Sequence, residues 1–341
     1  MENVTFKLAG AYGDHREGDV ITAALLPADV HVAEELATYL AGYKPFDNRA
    51  DEISPPILVD NDTDLYRTFS SDDAFEKVPV KSGLLAPPKF VDVRSSTAQY
   101  TVVQRVVGSL ISPITEKQTK ALYSIRQAAM RRCMDIIMLD READVLAQVT
   151  LNTSFASNNR KALGAGFNWN GGANSDPMKD LQDRIVVSAQ RVTGIGMNQV
   201  DAFAFLRHPS VRDHMRQMLG DGPAAAVAGG ADSDFQIPGL PPIHVFSAKA
   251  KTTSTGNIDY IWPTGTVVLY SLPPGMPVDG QTISTFKTFR RRGPAGVGFT
   301  TREYFDPRFG PEGATVVVVS MADIAVVTSN IAGGTISGTN A

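Results

Sequence analysis

The sequence predicts a mixed α+β protein, and three observations carry that prediction. Residues 64–111 are rich in β-branched side chains and thin in apolar content, which is typical of an extended two-stranded excursion. Residues 114–151 contain neither glycine nor proline and have apolar residues at helical spacing, which predicts one long helix. In the second half of the chain, predicted helices and strands alternate as in an α/β domain.

An acidic leader precedes these elements. Residues 1–64 contain thirteen acidic and four basic side chains, a net charge of −9, so the remainder carries +5. Such a leader is usually a solvated tail, but it can also be an arm that docks on a basic surface. The apolar residues of segment 27–43 recur at helical spacing, so we expect part of the leader to be helical.

The segment 64–111 is expected to protrude as a β-hairpin. KFVDVRSS and QYTVVQRVV have strand-like patterns, and SGLLAPP, which precedes them, predicts the turn between the two sides of the excursion. A long two-stranded excursion is only marginally stable alone. We therefore expect this hairpin to need a partner surface.

The long helix is expected to begin at Thr115, because Thr115 to Gln118 matches a capping box. About 35 residues at ~1.5 Å each predict a rod on the order of 50 Å long, which we call the spine. The expected apolar stripe consists of Leu122, Ile125, Ala129, Cys133, Ile136, Leu139, Ala143 and Leu146.

Acidic residues cluster near the end of the spine, at Asp140, Glu142 and Asp144. A general acid/base site or a metal site is one interpretation. These residues point to different sides of a helix, however, so a solvated helix end is the favoured interpretation.

A glycine- and asparagine-rich loop containing Trp169 follows the spine and leads into a helix with Asp176 as N-cap and Pro177 as first residue. A tryptophan among glycines can stack a ligand, but it more often anchors a loop to a core. The helix is expected to carry the stripe Met178, Leu181, Ile185, Ala189 and Val192 and to end at Gly194 and Gly196.

Further elements follow in the second half. VDAFAFL is apolar on both faces and is expected to be a central strand. HPSVRDHMRQMLG predicts a short helix, and residues 222–242 a loop. PPIHVFSAK, NIDYIWPTGTVVLYSL and ATVVVVS predict more strands.

Signatures of catalysis and cofactor binding are scarce. The chain has neither a Walker motif nor G-x-S-x-G, and the Gly-x-Gly pairs at 164–166 and 194–196 both lack the third glycine of a dinucleotide site. Its five histidines form no i, i+4 pair, and one cysteine, Cys133, cannot make a zinc site alone. Arg290, Arg291 and Arg292 could bind phosphate, but a solvated turn or a subunit contact is favoured. We predict no cofactor, no metal and no enzymatic activity.

Composition and charge argue against several other classes of protein. Of the 341 residues 43% are hydrophobic and 20% charged, so the chain can bury a core. A formal charge of −4 gives no support for a dedicated nucleic-acid binder. No signal peptide and no apolar run of membrane-spanning length is evident, and Asp323 interrupts VVVVSMADIAVV. We expect a soluble protein made in the cytoplasm.

The order of these elements resembles the major capsid proteins of tailed bacteriophages, the lambda E-type family with the Johnson capsid fold. The similarity rests on READVLAQVTL, on Trp169, on Ser175-Asp176-Pro177 with Asp180-Leu181, and on QVDAFAFLRHPSVRDHM. It extends over residues 112–332, with the specific motifs in 141–219.

The resemblance implies an organisation in five parts. These are an N-terminal arm (1–63), an extended loop (64–111), a peripheral domain with the spine helix (112–177), an axial domain (178–309) and C-terminal strands returning to the core (310–341). It implies structural or assembly roles for Trp169, Asp176, Pro177, Asp180, Arg131, Arg132, Arg290, Arg291 and Arg292.

The resemblance also implies a function in the virion. The chain would assemble as pentamers and hexamers into an icosahedral head that encloses double-stranded DNA, contacted non-specifically. Its partners would be further copies of itself, a separate scaffolding protein, a portal and a decoration protein, with no membrane involved. A cellular compartment shell protein, similar to encapsulins, and an α/β enzyme are the alternatives.

Overall fold

The computed structural model describes residues 31–32, 49–69, 96–119, 124–164, 166–171, 174–219, 234–251, 256–273, 282–293, 298–309 and 311–340. The α-helices in this part of the chain are α1 (Ala50–Ile53), α2 (Pro113–Thr119), α3 (Ile125–Thr150), α4 (Pro177–Val187), α5 (Gln199–Arg207) and α6 (Pro209–Leu219). The strands are β1 (His31–Val32), β2 (Pro56–Val59), β3 (Thr63–Thr68), β4 (Ser96–Thr101), β5 (Val103–Ile111), β6 (Arg160–Ala162), β7 (Gly194–Asn198), β8 (Ile243–Phe246), β9 (Lys249–Lys251), β10 (Ile258–Tyr260), β11 (Thr266–Tyr270), β12 (Phe286–Arg291), β13 (Phe299–Asp306), β14 (Ala314–Val327) and β15 (Gly333–Ser337).

The first sheet is organised around the long strand β14. Its order is β1-β13-β14-β12-β2, and β5 pairs with the other edge of β14. The pairing is antiparallel except between β2 and β12. Alternate β14 side chains, Val317, Val319 and Met321, pack with Met130 and Ile137 of α3, which covers one face of this sheet.

The spine is shorter than expected. Its long helix α3 starts after Ser124, whose hydroxyl accepts a hydrogen bond from Gln127 N at 3.5 Å. The predicted cap at Thr115 is wrong, because α2 already starts at Pro113. Proline is favoured at the first position of a helix, where an N–H group would have no partner within the helix. The 26 residues of α3 correspond to a length of about 39 Å.

The buried stripe of α3 also differs from the expected one. Ile136 and Leu139 are 41% and 40% exposed. The buried side is instead formed by Met130, Cys133, Met134, Ile137, Met138, Arg141, Glu142, Val145, Leu146 and Val149. Periodicity assigned only apolar residues to the stripe, whereas the buried side also contains an arginine and a glutamate.

The second sheet has the order β6-β15-β11-β7-β8. The central strand β11 is antiparallel to β7 and β15, and the two outer pairs are parallel. Helices α4, α5 and α6 contribute Leu181, Phe205 and Met215 to the core that packs against this sheet.

The predicted helix and strand around Gly194 are partly wrong. Helix α4 ends at Val187, and Gly194–Asn198 is a buried strand. A Cβ atom at Gly194 would lie 2.5 Å from the Tyr270 ring, and one at Gly196 would lie 2.8 Å from the Trp262 ring. Gly194 and Gly196 therefore leave room for the rings of Tyr270 and Trp262, and neither glycine ends a helix.

The VDAFAFL segment is helix α5 rather than a central strand. The Asn198 side chain accepts a hydrogen bond from Val200 N at 2.9 Å and so caps the helix. The helix is buried on several sides, which is why its sequence lacks a polar face.

The chain passes between the two sheets more often than the expected domain boundaries imply. Strands β12 and β13, within the range 178–309 expected to form one axial domain, belong to the first sheet. Strand β6, expected in the domain 112–177, belongs to the second sheet, as does β15.

The leader and the extended loop are described in part. His31–Val32 pairs as a strand with β13, so these two residues are not in the helix expected over 27–43; the rest of that range lies outside the described residues. Strands β3 and β4 form an antiparallel pair, as a two-stranded excursion requires, and the expected strand QYTVVQRVV is divided at Val102 between β4 and β5. The expected turn SGLLAPP and all but the last residue of the expected strand KFVDVRSS fall within 70–95, outside the described residues.

Candidate functional site

Trp169, Asp176, Pro177 and Asp180 lie together at the start of α4. Trp169 is 1% exposed, and its Nε1 donates to Asp180 Oδ2 at 3.0 Å. Lys161 Nζ donates to the other oxygen, Oδ1, at 2.7 Å. Asp176 caps the helix as predicted, accepting from Lys179 N at 3.3 Å, and Pro177 is buried at its first turn.

The Trp169 loop is tied to the chain's last strand region. Trp169 N donates to Thr339 O at 2.7 Å, and the indole lies 5.5 Å from the Phe205 ring centre. Gly166 and Gly171 have φ of 89° and 99°, the left-handed region that glycine adopts without strain. The loop is shaped to bury its tryptophan, which leaves no open indole face for a ligand.

The arginines 290–292 are not in a solvated turn, because Arg290 and Arg291 belong to β12 and Arg292 follows it. Each pairs with an acidic residue of the segment 49–62, which we call the strap. Arg290 Nη2 lies 3.2 Å from Asp51, Arg291 Nη1 3.1 Å from Asp62, and Arg292 Nε 3.4 Å from Asp60.

A buried charge cluster lies between the spine and the first sheet. Asp323 of β14 is 2% exposed and accepts from Arg105 Nη1 at 2.7 Å and from Arg141 Nε. Arg105 also pairs with Asp140 and Asp144, whose side chains remain mostly exposed. The expectation of a solvated helix end is thus wrong in part, since both aspartates have a specific partner.

Glu142 contradicts that expectation fully, because it is 1% exposed. Its carboxylate accepts from Ala50 N at 2.9 Å and from Arg49 N at 3.3 Å, and so joins the spine to the strap. Burial raises the pKa of Glu142 to about 7, against these hydrogen bonds. Sequence periodicity gave no signal for it, because the strap that buries it is distant in the chain.

Arg131 and Arg132 lie elsewhere, with exposed side chains on α3. The structure therefore brings the tryptophan and aspartate candidates into one site, places Arg290 in a second, and leaves Arg131 and Arg132 apart from both.

A third group, missed by the sequence analysis, contains Glu52, Asp234 and His244. One ligand atom from each lies within 4.8 Å of the others. Arg49 enters the same group, with its Nη2 2.7 Å from Glu52 Oε2 and 3.4 Å from His244 Nδ1. Arg49 and Glu52 are separated from Asp234 and His244 by about 180 residues of chain and share no sequence motif with them. Only the fold brings the two pairs together.

A cleft of about 340 Å³ lies beside the C-terminal end of β3, between the end of α3 and the end of β14. It is lined by Thr68, Phe69, Gln148, Leu151, Thr153, Ser154, Val327, Thr328 and Asn330. None of these lining residues is ionisable, so they offer no general acid or base. None of the helices in the described part of the chain has the length and apolar character needed to cross a membrane.

Comparison with known sequences gives no assignment: no protein-family model matches the chain, and no curated protein matches it. Solved structures do match. A phage-related protein from Bordetella bronchiseptica RB50 is 17% identical, with a TM-score of 0.68 over 90% of this chain and 97% of that chain.

Two further matches are named as capsid proteins. A protein described as the capsid protein of a prophage in Escherichia coli CFT073 is 13% identical, with a TM-score of 0.58 over 90% of this chain and 99% of that one. The capsid of cyanophage P-SCSP1u is 10% identical, with a TM-score of 0.53 over 88% of this chain and 91% of that one. These matches confirm the predicted phage capsid fold.

Proposed function

We propose that this chain is a major capsid protein that assembles as pentamers and hexamers into the icosahedral head of a tailed phage. The observation that carries the proposal is the capsid fold shared over about nine tenths of the chain with both capsid proteins. The head would enclose double-stranded DNA, contacted non-specifically, and the chain would reside in the virion after assembly in the host cytoplasm.

The proposal assigns a role to each layer of the fold. The first sheet with α3 forms the peripheral domain, and the second sheet with α4, α5 and α6 forms the axial domain. Strands β3 and β4 form the base of the extended loop, and the leader forms the arm. Leu65, Val106 and Leu110 of β3 and β5 are 65%, 55% and 54% exposed, and such apolar surface suits burial against a neighbouring copy.

A structural rather than catalytic role is supported by the buried carboxylates. Asp180, Asp201 and Glu142 each accept hydrogen bonds from the fold itself. Each of these buried acids is bound by other parts of the chain, and none of them lines the cleft found in the described part of the structure. We propose a scaffolding protein, a portal and a decoration protein as assembly partners besides further copies of the chain.

Electron microscopy tests the proposal. We expect the chain, expressed with its own scaffolding protein, to form closed shells of genome-enclosing size. Small uniform particles that hold a protein cargo would instead support a cellular compartment shell. A protein that stays monomeric at high concentration with its scaffold would contradict both.

A further inference from the structure

Glu52, Asp234 and His244 meet at a single point where the strap contacts the edge strand β8 of the second sheet. His244 Nδ1 lies 2.9 Å from Asp234 Oδ2 and 3.7 Å from Glu52 Oε2. A tetrahedral zinc ion with ligands about 2.0–2.2 Å away separates neighbouring ligand atoms by roughly 3.3 Å. The two separations from His244 Nδ1, 2.9 Å to Asp234 and 3.7 Å to Glu52, lie on either side of that value.

The position that faces these three atoms already holds a positive charge. Arg49 Nη2 lies 2.7 Å from Glu52 Oε2, forms a hydrogen bond with Asp234 Oδ2, and lies 3.4 Å from His244 Nδ1. The guanidinium keeps its charge at any ordinary pH. One arginine nitrogen thus stands where a coordinated cation would stand.

Two residues of β8, Val245 and Phe246, contact Asp234 and Arg49 of this group. Asp234 Oδ1 accepts from Val245 N at 3.1 Å, which orients the carboxylate. Arg49 Nη1 donates to Val245 O at 3.1 Å, and its guanidinium carbon lies 5.7 Å from the Phe246 ring centre. The fold therefore orients the Asp234 carboxylate without depending on the guanidinium alone.

We propose that Glu52, Asp234 and His244 form a binding site for a divalent cation of the zinc class, for which the Arg49 side chain competes. One imidazole nitrogen with two carboxylate oxygens suits zinc better than magnesium or calcium, which prefer oxygen ligands. With neutral His244 the two carboxylates and Arg49 sum to −1, and a divalent ion in place of the guanidinium gives a neutral site.

The site is open enough for this exchange. The Arg49 and His244 side chains are 22% exposed, and those of Asp234 and Glu52 are 36% and 45% exposed. A long, flexible arginine can turn outward without moving the strap. Bound zinc would then replace the guanidinium in joining the strap, through Glu52, to the second sheet, through Asp234 and His244.

The test is calorimetric titration of Zn²⁺ into tag-free, full-length protein at neutral pH. Arg49→Met removes the competing charge and keeps an apolar stem across Phe246, so it should bind Zn²⁺ about tenfold more tightly than the unaltered chain, or better. The double variant Arg49→Met/His244→Gln should lose that gain. Arg216→Met is the matched control, because Arg216 is 55% exposed and pairs only loosely with Asp213, at 3.8 Å.

A second readout separates binding from misfolding. Zn²⁺ should raise the thermal unfolding temperature of Arg49→Met, because a ligand that binds only the folded state stabilises it, and the double variant should show no rise. The proposal is overturned if Arg49→Met binds no more tightly than the unaltered chain, or if the double variant retains the gain. Neither result depends on shell assembly, so the capsid proposal is tested separately.

Discussion

Trp169 shows how one side chain ties three segments of the chain together. Its indole is buried against Phe205 of α5, its ring nitrogen binds Asp180 of α4, and its backbone binds Thr339. We expect Trp169→Ala to lower the free energy of unfolding by about 3–5 kcal/mol, the usual cost of truncating a buried aromatic residue. Urea denaturation of the monomer measures the change.

Trp169→Phe is the matched control for that variant. It keeps an aromatic ring, but it loses the donor to Asp180, which still accepts from Lys161, and part of the buried volume of the indole. We expect it to cost about 1–2 kcal/mol. A Trp169→Ala loss below about 1 kcal/mol, or tight nucleotide binding by the unaltered chain that Trp169→Ala abolishes, would contradict an anchoring role.

Glu142 should make the stability of the folded chain depend on pH. Its pKa is about 7 in the fold and 4.5 when unperturbed, so the folded state binds an extra proton between these values. A raised pKa contributes stability that is fully present below pH 4.5 and lost as the pH rises through 7. The contribution is on the order of 3 kcal/mol.

Glu142→Gln should remove this contribution, because the amide does not titrate. It keeps an acceptor oxygen for only one of Ala50 N and Arg49 N, so a loss of stability that does not vary with pH is expected as well. The free energy of unfolding, measured from pH 4.5 to 8, should fall less steeply for this variant than for the unaltered chain. Asp201→Asn is the control, because burial raises the pKa of Asp201 to about 6 and its variant leaves the Glu142 component in place. Parallel pH profiles for Glu142→Gln and the unaltered chain would reject the assignment.

At the scale of single residues, the sequence predicts a role correctly where the contacts that define the role lie within a few neighbouring residues. The Asp176 cap and the following proline lie within one turn of helix, so their pattern alone indicates α4. Glu142 is buried by α1, which lies about ninety residues earlier, so its helical position could not reveal its environment.

The structure shows what holds the β3–β4 pair, the base of the extended loop, to the rest of the chain. Tyr66 and Tyr100 pack against Phe289 of β12, with ring centres 5.5 Å and 4.3 Å from it. The base is thus held by the first sheet, and the segment beyond it is not needed for that contact. We expect deletion of Asp72 to Pro88 to leave a folded monomer that forms no stable shells.

Two measurements check this deletion. The thermal unfolding temperature of the monomer should stay close to that of the unaltered chain, while electron microscopy should show few closed shells. Phe289→Ala is the contrasting variant, because it removes the base contact and should lower monomer stability by about 3–5 kcal/mol. Normal shells from the deleted chain would make the extended-loop assignment wrong.

The elements that were predicted wrongly failed for a tertiary reason. VDAFAFL has the apolar character of a buried strand, yet α5 is buried on several sides and so shows no helical periodicity. Gly194 and Gly196 look like helix stops, but they make room for Tyr270 and Trp262, which come from the neighbouring region of the second sheet. Neither environment exists until the sheet has formed.

Across the whole molecule, opposite charges are joined over long chain distances. Asp51, Asp60 and Asp62 of the strap pair with the arginines 290–292, so part of the charge complementarity between leader and body is satisfied within the chain. The remaining residues 1–48 contain eight acidic and three basic side chains. The described strand β1 pairs with β13 at Glu303, which also binds Arg126 of the spine at 2.6 Å.

We predict that the acidic arm docks electrostatically on the spine of a neighbouring copy. Residues 115–139 carry five basic and two acidic side chains, and Arg131 and Arg132 are exposed there. Each exposed pair contributes only about 0.2–1 kcal/mol, but the contact repeats at every subunit of a shell. Because salt screens such pairs over a Debye length of about 8 Å, shell yield should fall as sodium chloride rises.

Charge reversal separates this contact from the pairs within the chain. Arg131→Glu/Arg132→Glu should lower shell yield at low salt and change monomer stability by no more than about 1 kcal/mol, the upper end of what an exposed ion pair contributes. Arg291→Glu/Arg292→Glu should instead lower monomer stability, since those arginines pair with the strap. If apolar contacts of segment 27–43 dominate, salt would strengthen assembly or leave it unchanged. An unchanged yield for Arg131→Glu/Arg132→Glu from low to high salt would reject the electrostatic arm.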